Sequence, residues 1–337
     1  MENLVLFTSK ARDTLLKPRK GESKFGEHIQ LLPHLINIYD DIIDLDVDYV
    51  LFGIKEDIGI YANHGNIGAH KAWDTVIKVL LNIQSNRFTK AERVLVLGHL
   101  DYTHINAVTN EEHSKKSIAK ARTIVEDIDK DVAYLVSSIV KAGKKPIIIG
   151  GGHNNAYGNM KGLSLAKNDK VNVVNFDAHT DFRPEEGRHS GNGFSYAYAE
   201  GFLKNYFIFG IHEDYTSEKL YKTLKKIKHI KYNTYEAIEI RNELNFRPEL
   251  DIALNHISNK PFGIEIDCDA IEYIPSSAQT PSGFSIKQAR QFIHHFGKHP
   301  NASYLHICEA APKKKTETLV GKLISYIITD FLRARGH

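Results

Sequence analysis

The segment Val171-Asn172-Val173-Val174-Asn175-Phe176-Asp177-Ala178-His179-Thr180-Asp181 joins a β-branched and aromatic run to an end rich in acid and imidazole. Runs of this kind favour the extended, pleated backbone. Short relatives of it recur at 48–54, 93–97, 146–149, 206–209, 229–232, 261–267 and 303–308. Helical periodicity separates most of them. Between the second and third runs, Ile118, Arg122, Val125, Ile128, Val132, Val136, Ile139 and Val140 step at helical spacing, and Gly143 with Pro146 stops the helix. Ser285 and Gln288 form a capping-box pattern before Ala289, Phe292 and Phe296, and Leu319, Leu323, Ile327 and Phe331 mark a closing apolar stripe. Strands alternating with helices predict an α/β fold around a central, mostly parallel, eight-stranded sheet covered on both faces.

With 337 residues, 42% hydrophobic and 25% charged, the chain can bury a large core without disulfides. No Pro/Gly/Ser-rich linker divides it, so 1–337 reads as a single domain, with 1–48 an N-terminal extension packed on it. A net charge of +3, set by 44 Lys and Arg against 41 Asp and Glu, argues against a nucleic-acid binder. No stretch reaches membrane-spanning length, and the first apolar run is too brief for a secretory signal. The basic character up to Lys20 leaves a cleaved organelle presequence as the alternative to a cytoplasmic protein. The two cysteines, Cys268 and Cys308, lie in apolar segments and read as buried free thiols in a reducing compartment.

In open parallel sheets, ligands bind beyond the carboxyl ends of the strands. Three polar clusters fall there. In an extended segment, alternate side chains share a face, so Asp177, His179 and Asp181 are expected to converge. The same period brings Asp267 and Asp269 together, with Glu265 one step inside the strand. Gly150-Gly151-Gly152 lets the backbone turn and carries His153 toward the neighbouring strand ends. Each cluster alone has a plainer reading: a capped turn for DxHxD, loop-start acceptors for the Asp pair, a phosphate loop for the glycines. The glycines, however, lack both the Lys-Ser/Thr ending and GxGxxG spacing. Taken together, four carboxylates and two imidazoles form an oxygen-rich donor set that favours Mn2+. Two ions roughly 3.5–4 Å apart, sharing bridging carboxylates, would use all six and stabilise a hydroxide between them.

These residues resemble the arginase, agmatinase and formimidoylglutamase superfamily of ureohydrolases. The motifs that carry the resemblance are Gly151-Gly152-His153, Asp177-Ala178-His179-Thr180-Asp181, Asp267-Cys268-Asp269 followed by Pro281-Ser282-Gly283, and Cys308-Glu309-Ala310-Ala311-Pro312. The resemblance implies a three-layer αβα fold, two Mn2+ per subunit and a homo-oligomer. His153 and Asp181 would bind one ion, His179 and Asp269 the other, while Asp177 and Asp267 bridge both. Asp181 would also handle the proton of the bridging hydroxide, and Glu309 would pair with a cationic amidine or guanidine.

Within the superfamily the chain looks most like formimidoylglutamase. A third glycine, Gly152, stands where arginase-like members usually have Asp, and Arg183 follows the DxHxD motif by two residues. Arg183 can pair with a carboxylate of a glutamate-like substrate, or salt-bridge Glu185 instead. His189-Ser190-Gly191-Asn192-Gly193-Phe194 resembles the family's substrate loop, which makes Ser190 and Asn192 candidate contacts; the shuttle histidine that arginase carries after this loop is absent. Asn63 and His64 border the first strand-end loop, and His212 and Glu213 face the same side. The expected reaction is manganese-dependent hydrolysis of N-formimidoyl-L-glutamate to glutamate and formamide. A urea-releasing arginase, agmatinase or guanidinobutyrase is the alternative within enzymes, and a catalytically silent metal-binding relative the alternative outside them.

Overall fold

In the computed structural model, which describes residues 1–334, all eight apolar runs become strands of one sheet. In chain order they are β2 (Tyr49–Lys55), β3 (Val94–Asp101), β4 (Lys145–Ile149), β5 (Val171–Phe176), β6 (Leu203–Ile211), β7 (Ile230–Thr234), β8 (Phe262–Asp267) and β9 (Ala302–Cys308). The ninth strand, β1 (Leu4–Leu6), was not legible in the sequence. Three residues are too few to show a period, and β1 is only an edge strand, antiparallel to β3. All other neighbours are parallel, in the order β1-β3-β2-β4-β9-β8-β5-β6-β7.

Alternate strand residues enter two separate cores, which is what a sheet covered on both faces requires. Leu51, Ile147, Ile149, Val174, Phe176 and Ile264 pack with the helices Ala72–Leu80, Ile286–Gly297 and Glu317–Ala334. Val50, Phe52, Ile148, Val173 and Ile208 pack with Lys115–Lys141 and Asn155–Lys167. The result is three layers. Gly143, at φ +77°, ends the long helix with its amide on the Val140 carbonyl and the Lys144 amide on Ile139, a left-handed C-cap. Ser285 and Gln288 form the capping box read from the sequence. In the last helix the buried stripe runs through Val320, Leu323, Ile324, Ile327, Ile328 and Phe331, while Leu319 lies half-exposed at the start of the first turn. Among the described residues no helix is long and apolar enough to cross a membrane.

Candidate metal centre and substrate cavity

Four adjacent strands, β4, β9, β8 and β5, deliver their polar ends to one place. Because Phe176 is level with Ile266, Asp177 and Asp267 emerge side by side. Both then use the same local device. The His179 amide donates to Asp177 Oδ1 at 2.7 Å, and the Asp269 amide donates to Asp267 Oδ1 at 2.8 Å. These Asx-type turns lift the chain off the sheet and leave each Oδ2 aimed at His153 Nδ1, 3.2 Å away. Convergence therefore comes from turns rather than from a continued pleat, since β5 already ends at Phe176. Asp181 completes the group with a left-handed backbone, φ +44°, and its Oδ2 lies 2.8 Å from His153 Nδ1. A non-glycine residue held there costs conformational energy and marks an over-determined site.

His153 is brought in by the glycine turn. Gly151 sits at φ +72°, and a Cβ there would stand 2.8 Å from Glu56 Oε1. Glu56, buried just past β2, accepts the Gly152 amide at 2.7 Å, the Asn155 side-chain amide at 2.8 Å and the Gly59 amide at 3.1 Å. Behind the ring, His153 Nε2 faces Glu265 Oε2 at 3.5 Å, while Tyr304 donates to Glu265 at 2.7 Å and His306 Nδ1 lies 2.5 Å from it. Burial would raise Glu265, but His306 and His153 more than offset it and bring it down to about 2. The anion keeps the Nε2 side of His153 engaged, which turns Nδ1 toward the aspartates.

Two donor groups contain the aspartates, His153, Asp177, Asp181 and Asp267, and then Asp177, His179 and Asp269; His153, His306 and Cys308 form a third set of close donors. Asp177 belongs to both. Asp267 belongs to the first and reaches the second through the Asp269 amide. His179 Nδ1 lies 3.0 Å from Asp269 Oδ2 and 3.7 Å from Asp177 Oδ1. Although His153 Nδ1 is close to three carboxylates, neither it nor the buried Asp269 Oδ1 makes a directed hydrogen bond. Donor atoms converge on points between them instead, as ligands of a cation do. The electrostatics agree. Burial, then Asp269 and Asp177, push Asp267 well above the usual carboxylate range, and burial with Asp177 pushes Asp181 upward. Asp177 is held low against its own burial by His153 and His179. Buried carboxylates this close need compensating positive charge, and hard divalent cations with imidazole tolerance fit the donor set.

Beside this centre lies a cavity of about 330 Å³ lined by Asn63, His179, Asp181, Arg183, Ser190 and Glu309 among others. Glu309 projects from the end of β9 with φ +60° and accepts the His153 amide at 2.6 Å through Oε1, leaving Oε2 without a partner. Burial pushes its carboxyl up to about 8. Arg183, half-exposed, donates to Asn63 Oδ1 at 2.7 Å and to Glu186 at 3.1 Å rather than to Glu185, and the Asn63 amide donates to Ser190 at 3.1 Å. Asn192 stands apart from the cavity. Buried, it accepts from the His189 amide and Arg188, and donates to the Pro184 and Gly187 carbonyls. Glu213 pairs with Arg241, and His64 faces His113, Nδ1 to Nδ1, at 3.1 Å.

Three contributors escaped the sequence reading. Tyr215 lines the cavity and stacks on His179 with ring centroids 5.2 Å apart; His212 also stacks on Tyr215. Nothing local in the sequence announces it. Arg188, 2% exposed, donates to Asp129 at 2.8 Å, to the Asn154 carbonyl at 2.8 Å and to Asn192 at 2.7 Å, tying the long helix to the loop around Asn192 and to the residue after His153. A signal existed, since Asp129 sits inside the apolar face of a helix. Glu56 is likewise a carboxylate at the end of an apolar run.

Comparison with known proteins follows the same lines. A family model described as the arginase family matches residues 47–332. A formimidoylglutamase of Streptococcus gordonii is 30% identical over 237 residues, 68% of this chain and 66% of that protein. One from Streptococcus pyogenes is 26% identical over 294 residues, 83% and 84% of the two chains. The crystal structure of Trypanosoma cruzi formiminoglutamase with Mn2+ superposes with a TM-score of 0.73 at 18% identity, covering 93% of this chain and 98% of that one.

Proposed function

The chain belongs to the arginase family, and from that premise we propose that it is a two-manganese hydrolase converting N-formimidoyl-L-glutamate and water to L-glutamate and formamide. The observation that carries the reading is the convergence of His153, His179 and four aspartates on one spot, beside a cavity walled by both Glu309 and Arg183. Curated relatives named formimidoylglutamase support the substrate. His153 and Asp181 would hold one ion, His179 and Asp269 the other, with Asp177 and Asp267 common to both. When bound, such a pair supplies a strong nucleophile from water at neutral pH and polarises the electrophile.

The remaining work falls to the chain's own groups. Burial favours the neutral form of Glu309, and an entering amidinium reverses that balance by giving the anion a desolvated cationic partner at its free Oε2. The formimino carbon is thereby held over the aspartates. Arg183 offers a planar fork to a substrate carboxylate, and Asn63 fixes that fork from behind. Asp181, at the cavity wall, takes the proton released as water adds to the formimino carbon. It returns that proton to the glutamate nitrogen as the carbon–nitrogen bond breaks. Tyr215 holds the His179 ring plane and screens one side of the site.

A urea-releasing guanidine hydrolase uses the same Glu309 contact, but Arg183 opposes the ammonium-bearing tail such substrates carry. The buried free thiols Cys268 and Cys308 support a reducing, cytoplasmic setting, and the family resemblance supports a homo-oligomer. The test is an assay of manganese-loaded protein on formimidoyl-glutamate, arginine, agmatine and guanidinobutyrate. Turnover of the formimino substrate is expected; activity confined to arginine sinks the assignment, and metal binding without any turnover marks a silent relative.

A further inference from the structure

Next to the metal-side cavity lies a second, larger chamber of about 850 Å³, whose walls include Asn66, Lys71, Ser276, Gln279, Lys313 and Lys314. The two spaces share His179, Tyr215 and Ala278, so the stacked His179–Tyr215 pair is a wall common to both. Lys71, Lys313 and Lys314 are exposed, and none is in an ion pair among the described residues. Ser276, by contrast, is 8% exposed, and its hydroxyl has no hydrogen-bond partner although it lines the chamber.

The lysine run is placed against local preference. The Lys313 carbonyl accepts the Thr316 amide at 2.7 Å and the Glu317 amide at 3.0 Å, and the Lys313 amide donates to Thr316 Oγ1 at 3.0 Å. Lys313, Lys314 and Lys315 are thus fixed at the start of the helix Glu317–Ala334, where the helix dipole already presents positive potential. Stability alone would favour acidic residues there. A local rule broken beside a cavity is a mark of function.

Charge matching says what the chamber would take. Around the metal-side cavity, Arg183 is the one guanidinium or ammonium among the lining residues, whereas Asp181, Asp267, Asp269 and Glu309 bring negative charge. A substrate with one carboxylate is satisfied by Arg183. With two, the second finds no other lysine or arginine in this cavity and gains a cationic partner only by turning outward. We propose that the outer chamber, through Lys71, Lys313, Lys314 and the Ser276 hydroxyl, binds the second carboxylate of a dicarboxylate amidine and so sets the preference for dianionic over monoanionic substrates. This rests on the proposed reaction for the identity of the reacting group, but the chamber's affinity for dicarboxylates is separable from it.

The test compares full-length, manganese-loaded wild type with Lys71→Gln/Lys313→Gln/Lys314→Gln. The control, Lys141→Gln/Lys167→Gln/Lys298→Gln, removes the same charge just before β4, β5 and β9 at the opposite rim. Substrates are N-formimidoyl-glutamate and its side-chain amide, N-formimidoyl-glutamine. The chamber variant is expected to lose about tenfold or more in kcat/KM on the diacid, mainly through KM, and less than about twofold on the amide. Raising ionic strength from about 0.05 to 0.5 M should depress the wild-type diacid reaction selectively and leave the chamber variant nearly flat. An equal loss on both substrates, or an equal loss in the control, overturns the proposal. Calorimetric binding of L-glutamate against L-glutamine gives a readout without turnover. A lysine-dependent preference for glutamate upholds the chamber even if no amidine is hydrolysed, which would overturn the reaction instead; no such preference overturns the chamber.

Discussion

Glu265→Gln keeps the shape of a fully buried side chain while removing its charge. Three groups would feel the change: Tyr304, which donates to it at 2.7 Å, His306 at 2.5 Å and His153 Nε2 at 3.5 Å. A carboxylate can accept from Tyr304 and His306 while presenting negative charge to His153, but a glutamine amide must turn its NH2 toward one of these neighbours and leave a donor facing a donor. The ring of His153 is then neither anchored nor made more basic from behind, and its Nδ1 is less firmly directed at Asp177, Asp181 and Asp267. Loss of such a supporting carboxylate typically weakens metal affinity about 10- to 100-fold, or about 1.4–2.8 kcal/mol at 1.4 kcal/mol per decade. Manganese titration by calorimetry, with circular dichroism as a check on folding, measures it directly. A folded variant whose manganese affinity stays within about twofold of wild type would refute the claim that Glu265 orients the ligand.

Glu309→Gln should leave manganese binding intact, because a glutamine oxygen still accepts the His153 amide. In steady-state kinetics it should lower kcat/KM about 10- to 100-fold, the ~1.5–3 kcal/mol of a hydrogen bond between charged partners. Gly151→Ala puts a Cβ 2.5 Å from Asn155 Nδ2 at φ +72°, so urea unfolding should show a loss of roughly 1–3 kcal/mol. Burial, helped by the nearby arginines, brings His189 from 6.5 down to about 3, so the unfolded chain takes up a proton first. The stability this group contributes is present above pH 6.5 and is lost as pH falls toward 3. Between pH 7 and about 4.5, His189→Asn, which retains an acceptor for the Gly191 amide, should therefore lose about 2 kcal/mol less stability than wild type in urea titrations.

What could be read in advance follows physical range. The seven inner strands are apolar runs because helices cover both their faces, and that leaves a dense local signature. β1 does not, since Leu4–Leu6 gains its place only by pairing with β3 some ninety residues away in sequence. The metal ligands were legible as clustered acids and histidines at run ends, although the turns that aim them were not: a period-two argument reached the right residues by a pleat that stops at Phe176. Arg183, Ser190 and Asn63 reach the cavity, whereas Asn192 is engaged by its own loop, and only the three-dimensional closure of 184–192 around Arg188 distinguishes them. Tyr215 matters through a stack with a residue from another strand end, which no local pattern encodes.

Manganese stoichiometry tests the central claim most directly. Wild-type protein titrated with Mn2+ under calorimetry, with bound metal quantified after desalting, should hold two ions per chain, and Asp177→Ala, which removes the member common to both donor groups, should hold neither tightly. A single ion in the wild type, or two ions bound unchanged by Asp177→Ala, would contradict a shared centre at the ends of β4, β5 and β8.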